Sequence, residues 1–252
     1  MLSPNLSTLQ PDAWPLERWQ TTLGWQPNLT QCQQFQHLYQ AILAGNRHLN
    51  LTRITDEQDF WEKHLWDSLR GINSYLHLDS PSPMVMDVGT GGGFPGLPIA
   101  IALPHSAVTV VDSTAKKIQF IRKATQEIPL ANVTGVVGRA EAIGQHIQYR
   151  EQYDLALIRA VGPAPVCAEY TVPFLKIGGT AILYRGQWTG PEAKTLTKAL
   201  AQLGGKLGLV QAFKTPLSQG VRHCLQIHKT TATPTSYPRA IGIPKQIPLG
   251  ES

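Results

Sequence analysis

Apolar residues recur at helical spacing in two early stretches, first Phe35, Leu38, Tyr39, Ile42 and Leu43, then Phe60, Trp61, Leu65, Trp66 and Leu69. Residues three and four apart share a helix face, so both stretches predict helices that bury one side. Ser80-Pro81-Ser82-Pro83 ends this region, because proline cannot continue a helix and pushes its predecessor to extended geometry. Beyond it the pattern changes. Short aliphatic runs predict strands near 84–88, 107–111, 132–137, 153–158, 180–185, 206–213 and 222–228, with helices near 95–103, 114–127, 163–175 and 190–203. Such alternation requires a largely parallel sheet with helices on both faces. No convincing helix separates the last two strands, and Pro216 to Gly220 reads as a hairpin connection, so the final pair is expected to be antiparallel. From Thr230 onward Pro, Thr and Gly dominate, which predicts an extended arm without a further element. The expected organisation is a helical subdomain over 1–80, an α/β domain over 81–229 and the arm over 230–252.

Composition permits this. The 252 residues suit one large domain with an appendage, and 42% hydrophobic content fills a substantial core. Cys32, Cys167 and Cys224 are odd in number and widely separated, which suggests buried small hydrophobes and neither a disulfide framework nor a metal site. Met1 to Gln10 lacks a basic start and an apolar run, and no apolar stretch reaches membrane-spanning length, so a cytoplasmic protein without membrane association is expected.

Charge distribution says more than the net +5. Residues 1–87 carry five Lys/Arg against nine Asp/Glu, whereas residues 88–252 carry seventeen against eight. Clusters at Lys116 and Lys117, Arg122 and Lys123, Lys194 and Lys198, and Arg239 and Lys245 create a field that attracts a polyanion. Any single cluster reads better as a solvated helix face; only the asymmetry between the two halves favours nucleic acid.

The run Val85 to Gly96 carries the clearest chemistry: a buried strand breaks into a glycine turn that opens a helix. Glycines admit a ligand close to the backbone, and a helix start offers unpaired N–H groups. After the next strand comes Asp112, 23 residues beyond Gly89, where a carboxylate can accept ribose hydroxyls. Two cofactor classes fit. The dinucleotide pattern G-x-G-x-x-G fails from Gly89, where Phe94 stands in the third place, and matches from Gly91 only with Pro95 inside the turn. A strand ending in Asp followed by G-x-G-x-G occurs as Asp87 to Gly93, and it resembles motif I of class I S-adenosylmethionine-dependent methyltransferases. With the antiparallel final pair on a seven-stranded sheet, the expected fold class is α/β of that Rossmann-like type, plus the N-terminal helical subdomain.

Four segments make the resemblance specific: Asn46-Arg47-x-x-Asn50-Leu51-Thr52-x-Ile54, His64-x-x-Asp67-Ser68-Leu69, the loop Gly89 to Pro98, and Tyr237-Pro238-Arg239-x-x-Gly242-x-Pro244. Together they resemble the bacterial ribosomal RNA small subunit methyltransferase G family, also known as glucose-inhibited division protein B. The resemblance implies methyl transfer from S-adenosylmethionine to N7 of a guanine in 16S ribosomal RNA, with that RNA or the small-subunit particle as partner. No stable protein partner is inferable. It also implies cofactor contacts at Gly89, Gly91, Gly93, Phe94, Asp112, Ser113, Thr114, Ala140, Glu141 and Arg159, with Arg139 and Arg159 as positioning groups. Lys116, Lys117, Arg122, Lys123, Arg139 and Arg239 are the candidate RNA contacts.

Blander roles stand beside these. Asp112 can cap the helix that follows it, Glu141 can be a solvated helix-start residue, and Phe94 can be a core contact. Arg159 follows Leu155-Ala156-Leu157-Ile158 and must find an anionic partner, either a cofactor carboxylate or an RNA phosphate, or else open onto a cleft. His64, Asp67 and Ser68 share a helical face on a Trp-rich helix, which points to a subdomain interface and not to a catalytic triad. After the fourth strand stands Arg159-Ala160-Val161-Gly162-Pro163, without the Asn/Asp-Pro-Pro-aromatic segment of amine methylation, and Cys167 lacks the Pro-Cys order of pyrimidine-carbon methylation. Guanine N7 has an in-plane lone pair and needs neither. A non-catalytic assembly factor, a small-molecule methyltransferase and an NAD-dependent oxidoreductase are the rival readings.

Overall fold

The computed structural model describes Trp14 and residues 16–251; the expectation for Met1 to Gln10 lies outside them. Helices α1 (Leu16–Leu23) and α2 (Leu29–Leu49) come first. Asn28 starts α2 with a capping box to Gln31, and Asn50, in the left-handed conformation at φ +47°, ends it. Helix α3 (Glu57–Phe60) runs through a π-helical stretch, Trp61–Trp66, into α4 (Asp67–Gly71). The alternating region follows as β1 (Met84–Val88), α5 (Gly96–Ala102), β2 (Ala107–Asp112), α6 (Ala115–Glu127), β3 (Val133–Val137), α7 (Ala140–Ile143), β4 (Tyr153–Arg159), α8 (Ala164–Thr171), β5 (Leu175–Arg185), α9 (Gly190–Leu203), β6 (Gly205–Lys214) and β7 (Val221–Lys229). One last turn, α10 (Ile243–Gln246), lies near the end.

The seven strands lie in the order β3-β2-β1-β4-β5-β7-β6. All pairings are parallel except those of β7, which is antiparallel to both β5 and β6. This is the mostly parallel sheet with an antiparallel final hairpin that the pattern predicts. Three details differ. β5 begins at Leu175, because α8 stops at Thr171 and Pro173 sits in a tight turn, Val172–Phe174. α7 is a single turn, too short to leave a periodic signal. The arm is not wholly extended: Gly242, at φ +89°, and Pro244 start the turn of α10.

Strand order reverses between β1 and β4, so their carboxyl ends open a crevice where ligands bind in such sheets. One face of the sheet packs against α5 and α6 together with the N-terminal helices, in a core that includes Trp19, Phe35, Phe60, Trp61, Leu97 and Ile118. Trp19 stacks on Phe35 with centroids 5.7 Å apart and meets Trp61 edge-on at 5.3 Å. The other face packs against α8 and α9 through Val166, Leu196 and Leu200. The N-terminal helices are therefore welded to the sheet by apolar burial, about 2 to 3 kcal/mol for each large side chain removed from water.

Candidate active site

The first glycine turn takes the form its residues demand. Gly89 has φ +71°, and a Cβ there would stand 2.7 Å from Val161 Cγ2. Gly91, at φ +59°, faces open space. Asp87 at the end of β1 is fully buried and organises the turn: its Oδ2 accepts from Thr90 Oγ1 at 2.6 Å and from the Gly96 amide at 2.8 Å. Burial pushes its carboxyl up to about 6, against the pull of those hydrogen bonds.

Past this turn lies a cavity of about 290 Å³, bordered by Gly89 after β1, Asp112 at the end of β2 with Ser113 and Thr114 behind it, Arg139, Ala140 and Glu141 after β3, and Ala160 and Val161 after β4. The ends of four strands thus converge on it. Gly93 and Phe94 do not line it, nor does Gly91, whose amide instead donates to Asp112 Oδ2 at 3.0 Å. Asp112 Oδ1 accepts from the Thr114 amide at 2.8 Å, so this carboxylate fixes the turn before α6 and lines the cavity at once, but it does not cap the helix, whose N-cap is Thr114. Glu141 is not the solvated residue its position permits; it is 2% exposed. Its Oε1 accepts from Arg139 at 3.0 Å, Tyr170 Oη at 3.0 Å and the Gly242 amide at 3.1 Å, while Oε2 is buried without a partner. Burial opposes its ionisation, but the hydrogen bonds outweigh it and hold the carboxyl below its ordinary value.

Arg159, at the end of β4, finds its anion within the chain: Asp67 Oδ2 lies 3.0 Å from Nη1. The same nitrogen donates to the Lys63 carbonyl at 2.8 Å, and Nη2 meets His64 Nδ1 at 3.1 Å. The π-helical stretch makes this possible, because the Asp67 amide bonds to the Glu62 carbonyl five residues back and leaves that of Lys63 for Arg159. His64 also contacts Thr52 Oγ1 at 2.7 Å and stacks on Phe94 with centroids 4.2 Å apart. Asn46 and Thr52 close the chain between them, the Asn46 amide donating to the Thr52 carbonyl at 2.8 Å. The polar face of the Trp-rich helix is an interface, as its spacing suggests, and Phe94 packs inside it beside Phe60 at 5.7 Å.

A second cavity, of about 420 Å³, shares Ala160 with the lining of the first and is lined by Lys63, His64, Asp67, Arg159, Tyr184, Arg185 and Arg222 among others. Sequence reading missed Arg185, Arg222 and Tyr184 here and Tyr170 at the first cavity, where Lys245, read only as part of a basic cluster, also lies. Arg185 had a signal: like Arg159, it follows an apolar strand run, Ala181 to Tyr184. Arg222 had none. Of the candidate RNA contacts, Lys117 and Arg139 line the first cavity. Lys116 and Lys123 are exposed on α6, where Lys123 stands 3.8 Å from Glu127. Arg122 gives Nη2 to the Gly135 carbonyl at 2.7 Å, and Arg239 pairs with the buried carboxylate of Glu169 at 2.7 Å.

The model of the rRNA small subunit methyltransferase G family matches residues 31–223. Ribosomal RNA small subunit methyltransferase G of Nostoc punctiforme is 55% identical over 235 residues, covering 92% of this chain and 96% of its own. That of Synechococcus elongatus is 56% identical over 238 residues, covering 94% and 98%. The chain belongs to the rRNA small subunit methyltransferase G family.

Solved structures carry the likeness in fold alone. The antibiotic-resistance methyltransferase Kmr superposes with a TM-score of 0.50 at 14% identity, covering 65% of this chain and 94% of its own. A branched-chain polyamine synthase mutein from Thermus thermophilus gives 0.56 at 12% identity, covering 78% and 64%. The fold of the chain is the class I methyltransferase sheet, and its cofactor is S-adenosylmethionine. The first cavity fits that group. It offers a carboxylate at Asp112, bare backbone at Gly89 where a side chain would collide with Val161, and a buried acceptor, Glu141 Oε2, that no donor among the described residues reaches. Among the described residues, no helix is long and apolar enough to cross a membrane.

Proposed function

We propose that this chain methylates N7 of a guanine in 16S ribosomal RNA, holding S-adenosylmethionine in the first cavity and the guanine in the second. The observation that carries the reading is that Ala160, directly after Arg159 at the carboxyl end of β4, lines both cavities, and we take it as their junction. Asp112 would take the ribose hydroxyls and Glu141 with Ala140 the adenine edge, while the Gly89 backbone lets the remaining part lie against β1. When bound, the cofactor supplies a methyl carbon made electrophilic by its sulfonium.

The chain's own residues then orient and do little else. N7 carries its lone pair in the plane of the base, so no side chain must remove a proton before transfer. Arg159, held on three sides by Lys63, His64 and Asp67, is a rigid planar donor at the junction. Guanine presents O6 and N7 as acceptors on one edge, and a guanidinium is the side chain that matches such an edge. Positioning of this kind converts a bimolecular encounter into an oriented one and is sufficient to accelerate displacement. The base must leave its stack to enter the cavity, so RNA structure controls access.

The helical 1–80 region, the 81–229 sheet and the 230–252 arm act in this reading as one unit around the junction. A cytoplasmic setting and a substrate of free RNA or small-subunit particles go with it. The test is mass mapping of N7-methylguanine in 16S RNA from cells lacking the protein, followed by return of the wild type and of Arg159→Ala. One guanine should lose its mark and regain it with the wild type alone. An unchanged map would end the proposal.

A further inference from the structure

Four cationic side chains, Lys63, Arg159, Arg185 and Arg222, line the second cavity, against one carboxylate, Asp67. Three of the four are already engaged. Asp67 neutralises Arg159 at 3.0 Å, Glu192 holds Arg185 at 2.7 Å, and Asp59 meets Lys63 at 2.7 Å on a partly exposed surface. Arg222 has no carboxylate partner among the described residues; its Nη1 donates to the Val221 carbonyl at 3.0 Å. It is a half-buried cation at the wall of a cavity whose one carboxylate, Asp67, is already taken by Arg159.

The position of Arg222 is built and not incidental. It stands at the start of β7, just after the hairpin turn, and that turn is clamped by Glu62. Glu62 is 0% exposed and accepts from the Leu217 amide, the Ser218 amide at 2.9 Å and Ser218 Oγ at 2.5 Å. Lys63 is the next residue after Glu62. One buried carboxylate therefore ties together the two elements, far apart in the chain, that bring Lys63 and Arg222 to the same cavity.

We propose that Arg222, together with Lys63, seats a backbone phosphate of the extruded guanine nucleotide at the second cavity, so that the final hairpin is an RNA-reading element of the enzyme. This rests on the placement of the guanine proposed above. A phosphate supplies the anion that Arg222 lacks, and it lets Lys63 exchange its partly exposed, solvent-screened pairing with Asp59 for a second contact. The basic face of α6, by contrast, is not needed for this contact.

The experiment measures binding and methylation of 16S RNA, carried in small-subunit particles, by the full chain across a salt series. Each phosphate contact contributes about 0.7 to 0.9 to the slope of log affinity against log salt. Arg222→Ala should lower that slope by about one contact and raise KM for the particle about tenfold, leaving calorimetric affinity for S-adenosylhomocysteine unchanged. Arg222→Lys, which keeps the charge without the fork, should recover most of the loss, and Lys63→Ala should give a second reduction of similar size. Retention of the wild-type slope in Arg222→Ala would overturn the proposal, as would an equal loss of S-adenosylhomocysteine affinity. Wild-type protein that leaves guanine N7 unmodified refutes the underlying reading instead, so the two failures are distinguishable.

Discussion

Arg159 donates a guanidinium N–H to Nδ1 of His64 across 3.1 Å, and this fixes the protonation of the ring. Arginine has no acceptor, so Nδ1 must be bare and the proton must sit on Nε2, where it meets Thr52 Oγ1 at 2.7 Å. His64 is thus a neutral spacer that holds Arg159 at the cavity junction.

A pH dependence follows from that arrangement. Burial, with Arg159 and Lys63 nearby, lowers His64 from 6.5 to about 3. The unfolded chain takes up a proton near 6.5 while the folded chain resists until about 3, so this contribution to stability is complete above 6.5 and lost as pH falls toward 3. His64→Gln keeps an acceptor and a donor without the titration. Its urea midpoint should decline less steeply than that of the wild type between these pH values; parallel declines would refute the assignment.

Gly89 and Gly91 separate strain from collision. Alanine at Gly91, φ +59° with open space around it, should cost about 1 to 2 kcal/mol of stability from backbone strain alone. Alanine at Gly89 adds a Cβ 2.7 Å from Val161 Cγ2, so it should cost more and also displace a wall of the first cavity. Urea unfolding and calorimetry with S-adenosylhomocysteine check both, and equal costs for the two variants would contradict the geometry.

Asp112 accepts backbone N–H groups on both oxygens, from Gly91 at 3.0 Å and Thr114 at 2.8 Å. Asparagine must turn its NH2 toward one of those donors, a loss of about 1.5 to 3 kcal/mol for a charged hydrogen bond. Asp112→Asn should therefore bind S-adenosylhomocysteine at least tenfold more weakly. Wild-type affinity in that variant would remove Asp112 from the cofactor site.

Glu169, 0% exposed, accepts from the amide and guanidinium of Arg239. Arg239→Ala strands its charge and should destabilise the chain by about 3 to 5 kcal/mol. Pairing it with Glu169→Gln should restore a measurable part, and amide exchange should quicken around 237–249 in the single variant first. Simple additivity in the double-mutant cycle would show that the pair is not coupled.

The strand that carries Asp87, the glycine turn and the acid at 112 were readable because they depend on neighbours: an apolar run of strand length, glycines where φ is positive, and a carboxylate at the next strand end. α7 and the turn at Ile243 escaped, since four residues carry no period. Arg159 announced its need for a partner, but its two acceptor side chains lie in a helix 92 and 95 residues earlier.

Sequence by itself determined the alternation of strand and helix and the glycine turn, because local spacing encodes which face is buried and where the backbone must bend; its motifs carried the resemblance to the family. Tertiary structure decided the partners. Folding gave Arg239 to Glu169 and drew Lys117 and Arg139 to the first cavity, and it placed Arg185 and Arg222 around a second one. The charge of a side chain is written in the chain, but the groups it meets are set by how separate elements pack, and burial then makes each meeting costly to break.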